Sequence, residues 1–131
     1  TKNISKDSAL VLFNQWYLHF SNTFYKYAGE KFFSSNTTKL IFFSTSMSCH
    51  CTLEMCKKQT IEILNLAKEK NLDYWIIDSY EHNELQIKYE TLFSPAVVVF
   101  DERNEVLLKI EYDDNLLLKL SEFIKTKLKG E

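Results

Sequence analysis

Two short apolar runs with a helical pattern between them limit what this chain can fold into. Leu40-Ile41-Phe42-Phe43 is apolar at successive positions, as a strand covered on both faces requires, and Tyr74-Trp75-Ile76-Ile77-Asp78 reads as a second buried strand. From about His50 to Lys70, Leu53, Cys56, Thr60, Leu64 and Ala67 recur at intervals of three and four, the inward face of a helix that Asn71 closes. A strand, a crossover helix and a second strand of these lengths make a parallel unit, because parallel neighbours need a long connection.

The rest of the chain extends this unit. Ala9, Leu12, Phe13, Trp16, Phe20, Phe24 and Tyr27 place an amphipathic helix over about Ser8 to Tyr27, capped by Asp7 or Ser8, stopped by Gly29 and followed by a loop at Ser34-Ser35-Asn36-Thr37-Thr38. Glu81 to Leu92 reads as a shorter helix with Leu85, Tyr89 and Leu92 inward. Phe93-Ser94-Pro95, with the sole proline, leads into the strand Ala96 to Phe100, which the turn Asp101 to Asn104 joins to Val106 to Tyr112 as an antiparallel hairpin. A last helix, Asp114 to Lys129, aligns Leu117, Leu120, Ile124 and Leu128 and ends rich in lysine, as the helix dipole prefers. The expectation is an α/β fold with a central mixed β-sheet flanked by helices and a long amino-terminal helix. With 45% hydrophobic residues in 131, it forms a single domain, an amino-terminal helical extension and loop over 1–38 and the α/β core over 39–131. The chain opens on Thr1 without a methionine, as one trimmed of an export signal or membrane anchor does.

Charge and composition exclude several functions. Sixteen basic and 18 acidic residues are scattered along the chain, leaving no basic face for nucleic acid. No apolar run approaches the about 20 residues of a membrane-spanning helix. Two glycines allow no phosphate-cradling loop, so no nucleotide, flavin, haem or other cofactor is expected. His19 and His82 read as solvated histidines on separate helices.

What remains is thiol chemistry. All three cysteines, Cys49, Cys51 and Cys56, lie where the first strand hands over to its helix, and the odd count leaves at least one thiol unpaired. Backbone N–H groups and the helix dipole favour an anion there, so a cysteine at this junction ionises more readily than a free one. Cys56 falls on the inward face, where it reads as a small buried hydrophobe.

From Lys39 to Lys129 the chain resembles the thioredoxin-like superfamily, on two features: cysteines at the strand-to-helix junction, and Ser94-Pro95 just before the strand Ala96 to Phe100. The resemblance implies a cis-proline at Pro95 beside the active cysteines, with Ser94 facing an extended substrate chain. The family's C-x-x-C motif is absent. Counting from the strand sets the four motif positions on Ser48-Cys49-His50-Cys51, with serine at the attacking position; counting back from Pro95 sets the first nearer Cys51. Met47 or Ser48 stands where the family carries tryptophan on its substrate side, and Phe42 where classical thioredoxins bury an acid that assists proton transfer.

Three readings compete. In the first, a thiol-disulfide oxidoreductase or isomerase-type protein, Cys49 attacks, Cys51 resolves through a strained and therefore oxidising ring, and a protonated His50 favours the thiolate. Cys56 is a third thiol, but a helical separation of five residues from Cys51 is about 8 to 9 Å, beyond disulfide reach. Protein or peptide thiols and disulfides are then the substrates, a redox partner protein recycles the site, and an oxidising, extracytoplasmic compartment follows from the chemistry. In the second reading the fold is a redox-inactive interaction module acting through the groove beside Pro95. In the third, Cys49, His50 and Cys51 bind Cu(I) or Zn, although adjacent residues rarely converge on one ion.

Overall fold

The computed structural model describes residues 24–129, and the chain divides into two compact units, Thr1–Ser34 and Ser35–Glu131. In the first, residues 24–34 are helical. The expected helix start and Ala9, Leu12, Phe13, Trp16 and Phe20 lie outside the described residues. Gly29 does not stop the helix, which runs on through Glu30-Lys31-Phe32-Phe33 to residue 34. A glycine inside a helix costs only about 1 kcal/mol, and good helix formers follow it here. Phe32 and Phe33 meet edge to face at 5.1 Å, and the Ser34 hydroxyl donates to the Lys31 carbonyl at the helix end.

The second unit is built on a four-stranded sheet. In chain order its elements are β1 (Lys39–Ser44), α1 (His50–Glu69), β2 (Asp73–Asp78), α2 (Glu84–Lys88), β3 (Ala96–Phe100), β4 (Val106–Glu111) and α3 (Leu116–Lys129). The sheet order is β2-β1-β3-β4. β1 runs parallel to β2, with Phe42 opposite Ile76, and antiparallel to β3, with Ile41 opposite Val98; β3 and β4 form the hairpin. β1 and β3 are central, so Leu40 to Phe43 and Ala96 to Phe100 are all buried, as unbroken apolar runs require.

One sheet face supplies Leu40, Phe42, Val97, Val99 and Ile110 to a core completed by Ile63 and Leu66 of α1 and Leu116, Leu120 and Ile124 of α3. On the other face the Tyr89 ring meets Phe100 edge-on at 5.0 Å. With so few glycines, left-handed backbone falls to other residues. Asn71 (φ 54) ends α1, with the Leu72 N–H reaching back to the Ala67 carbonyl at 2.8 Å, and Asn104 (φ 65) turns the hairpin.

Four sequence expectations change. β2 is an edge strand with Tyr74 exposed, rather than a second strand covered on both faces. The hidden face of α1 is turned by about a residue: Thr52, Cys56, Gln59, Ile63, Leu66 and Ala67 are buried, whereas Leu53, Thr60 and Leu64 are half-buried. Two polar residues, Thr52 and Gln59, thus hold inward places that an apolar count passes over. Helix α2 shrinks to Glu84–Lys88 because both flanks are held otherwise: the Glu81 and His82 N–H groups bond the Asp78 carbonyl, and Glu90 (φ 58) turns the chain out. Leu92, expected inward, is exposed. In α3, Leu116 replaces Leu117 on the buried face beside Leu120 and Ile124; the side chain of Leu128 lies outside the described residues.

Candidate functional site

The carboxyl end of β1 and the start of α1 bring the cysteines to one end of the sheet. Cys49 is the N-cap of α1, extended at φ −65 and ψ 160, and its carbonyl accepts the first helical bond from the Leu53 N–H at 3.0 Å. A cap side chain lies over the third helical residue. That residue is Thr52, and the Cys49 sulfur sits 3.3 Å from its hydroxyl oxygen. His50 and Cys51 are the first two residues of the helix, both exposed, while Cys56 is buried at 2% exposure. All three thiols are free.

The environment favours the Cys49 thiolate. The Thr52 hydroxyl is the largest cause of a thiol held below its ordinary range, followed by the Thr52 backbone N–H; desolvation opposes them, and the Ser48 hydroxyl and Cys51 N–H add to the depression. These are the groups a helix amino terminus presents to an anion.

The Thr52 hydroxyl, itself buried, lies 2.9 Å from the phenol oxygen of Tyr112. Tyr112 follows β4 in a left-handed conformation, φ 48, and its N–H donates to the Pro95 carbonyl at 2.8 Å. The hairpin thereby ties the Ser94–Pro95 segment to the mouth of α1. The Ser94–Pro95 peptide bond is cis and Pro95 is buried. Behind it runs a directed chain of hydrogen bonds. Ser79 spends its hydroxyl proton on the Ser44 carbonyl at 2.9 Å, so Ser94 donates to Ser79 at 2.8 Å while accepting from the Gln86 amide at 3.2 Å. The Ser94 hydroxyl therefore points into the protein.

Between the cysteine loop and the Ser94–Pro95 segment lies a cavity of about 230 Å³. Ser79, Gln86 and Ser94 give it polar walls, and Met47, Leu92, Phe93 and Tyr112 give it an apolar rim. Met47, Leu92 and Phe93 are 61%, 76% and 62% exposed. The Glu111 carboxylate holds the Leu92 and Phe93 N–H groups at 2.6 and 2.7 Å, and the Asp78 carboxylate holds the Ser46 N–H at 3.0 Å, fixing one loop on each side of the cavity.

Met47, Ser48, Cys49, Ser94 and Pro95 thus share one end of the sheet, with His50 and Cys51 on the adjoining helical turn. Cys56 stands apart in the core. Among the described residues, no group of three His, Cys, Asp or Glu side chains gathers as a metal would need. Nor is any described helix long and apolar enough to cross a membrane. The sequence reading missed Thr52, Gln86 and Tyr112. Position 52 had one available signal: a cysteine at a helix cap faces the residue three further on, whatever that residue is.

No protein-family model and no curated protein matches this chain. Its likeness is to solved structures. Fasciola hepatica thioredoxin superposes with a TM-score of 0.60 at 19% identity, covering 81% of this chain and 92% of that one. The germline-specific thioredoxin Deadhead of Drosophila melanogaster gives 0.58 at 18% identity, over 78% and 91%. The reduced Schistosoma mansoni thioredoxin pre-protein gives 0.57 at 15% identity, over 70% and 80%. The fold is therefore thioredoxin-like, a mixed four-stranded sheet flanked by helices with cysteines at the start of α1. At such identities the likeness carries the architecture and not the chemistry.

Proposed function

We propose that this protein performs thiol-disulfide exchange on protein or peptide substrates, with Cys49 as the attacking thiol. One observation carries the reading: the exposed Cys49 stands at the N-cap position of α1, its sulfur within reach of the Thr52 hydroxyl, and follows Ser48, which lines the cavity together with Ser94. The Cys49 thiolate attacks one sulfur of a substrate disulfide. The substrate S–S bond breaks, a Cys49–substrate disulfide forms, and the departing sulfur takes a proton. A second thiolate then attacks the mixed disulfide and returns Cys49 as thiolate. Thr52 occupies the place facing the cap, and helical geometry turns residue 51 to another side. The discharging thiol is therefore the substrate's own, which gives net isomerisation, and Cys51 acts only when the first turn of α1 opens. The exposed Met47, Leu92 and Phe93 receive the apolar side chains of an extended substrate segment, and the backbone at Ser94 holds it, since the Ser94 hydroxyl is spent internally.

Refolding of a scrambled-disulfide test protein by wild type, Cys49→Ala and Cys51→Ser variants tests this. Cys49→Ala abolishes the activity and Cys51→Ser keeps most of it. Full activity in Cys49→Ala overturns the assignment; loss in Cys51→Ser alone makes Cys51 the resolving thiol.

A further inference from the structure

Cys49, Thr52 and Tyr112 stand in a row, sulfur to hydroxyl at 3.3 Å and hydroxyl to phenol at 2.9 Å. We propose that the Thr52 and Tyr112 hydroxyls form a hydrogen-bond chain that reverses direction when Cys49 ionises and so holds the thiolate left behind. The inference deepens the exchange reading and rests on Cys49 as the attacking thiol. With Cys49 protonated, its S–H donates to the Thr52 oxygen, the Thr52 O–H donates to the Tyr112 oxygen, and the phenol proton faces water. On ionisation each proton moves one place. The thiol proton passes to the Thr52 oxygen, the former Thr52 proton to the Tyr112 oxygen, and the former phenol proton to solvent. One proton has left, every oxygen remains a neutral hydroxyl, and the finished chain runs the other way: Tyr112 donates to Thr52, which donates to the thiolate. Each protonation state of Cys49 thus has a fully satisfied arrangement.

Three observations support a working chain over incidental packing. Thr52 is buried and Tyr112 is 46% exposed, so the phenol can exchange donor and acceptor roles with water while the Thr52 hydroxyl keeps its place in the row. Tyr112 holds a left-handed backbone, where a bulky side chain is an outlier and asparagine or glycine is the ordinary choice. Such departures cluster at functional positions. Finally, Phe42 and Phe43, the β1 residues leading into the cysteine loop, are fully buried and apolar and bring no charged group to the thiol. The surrounding charged and titratable groups are otherwise placed. His50, Cys51 and Glu54 lie on α1; Asp78 binds the Ser46 and Tyr80 amides, Glu111 the Leu92 and Phe93 amides, and Asp113 pairs with Lys119.

The test is the pH dependence of Cys49 alkylation by iodoacetamide, followed by peptide mass spectrometry in the full chain carrying Cys51→Ser. Thr52→Val keeps the side-chain shape and removes the hydroxyl; it raises the Cys49 midpoint by about one pH unit, and Thr52→Ser restores it. Tyr112→Phe raises it by roughly half as much, and Thr52→Val/Tyr112→Phe matches Thr52→Val alone because the two hydroxyls act in series. An unchanged midpoint in Thr52→Val, or additive shifts in the double variant, overturns the chain. Circular dichroism confirms the fold of each variant, and should Thr52→Val fail to fold, Tyr112→Phe decides the matter, an unchanged midpoint there overturning the chain. Alkylation reads ionisation alone, so a failed chain is distinguishable from a failed exchange reading, which rests on the refolding activity of Cys49→Ala.

Discussion

Glu111 ties the hairpin to the exposed segment before Ser94 through two hydrogen bonds. Its Oε1 accepts the N–H groups of Leu92 and Phe93 at 2.6 and 2.7 Å. A hydrogen bond to a charged acceptor is worth about 1.5 to 3 kcal/mol, and screening at this open surface reduces each to about 1 kcal/mol. Glu111→Ala therefore lowers the local opening free energy of the segment by about 2 kcal/mol, which accelerates amide exchange at Leu92 and Phe93 roughly 30-fold. Glu111→Gln keeps a neutral acceptor and loses about half of that. Hydrogen exchange followed residue by residue by NMR reads the effect, with the Val98 amide in central β3 as control. Unchanged exchange at 92 and 93 would refute the clamp. So would equal acceleration at Val98, since that would mean general destabilisation instead of a local latch.

Other consequences are open to direct measurement. Ile63 is fully buried in the core, so Ile63→Ala costs about 2 to 5 kcal/mol in urea unfolding; a loss below about 1 kcal/mol would mean that the helix repacks. Asp101 is held below the usual carboxylate range first by the Glu105 backbone N–H, and Asp113 first by the Lys119 side chain. Both contribute stability above the unfolded carboxylate value of about 3.9 that disappears as pH falls through their lower folded values. Asp101→Asn/Asp113→Asn flattens this acid limb, and an unaltered slope would remove both residues from it. Cys56 lies in the core, so Cys56→Ala costs about 1 kcal/mol in stability and leaves Cys49 alkylation as in wild type; a changed alkylation rate would tie Cys56 to the site.

What the sequence made legible follows from how each element is determined. β1 and β3 are recognisable because a strand covered on both faces admits only apolar residues, and the hairpin because its polar turn lies between β3 and the strand-forming run of β4. Where polar residues take inward positions, periodicity loses its phase. Gln59 donates to the Asp113 carbonyl at 2.8 Å, and Thr52 serves the Cys49 sulfur, so a count of apolar residues turned α1 by about one position. The extent of α2 was beyond local reading, because its ends are set by Asp78 and by the turn at Glu90. The site divides in the same way. Its cysteines and the Ser94-Pro95 pair stand out as residue types, but the groups that govern Cys49 do not. Thr52 is an ordinary threonine until the cap conformation of Cys49 is known, and Tyr112, 60 positions along the chain from Thr52, reaches it only because the left-handed turn after β4 is fastened to the Pro95 carbonyl. The same bond that closes the hairpin against the Pro95 segment also sets the phenol on the threonine. The contact that closes the hairpin and the hydroxyl row beside the thiol therefore belong to one arrangement, and neither residue type announces that alone.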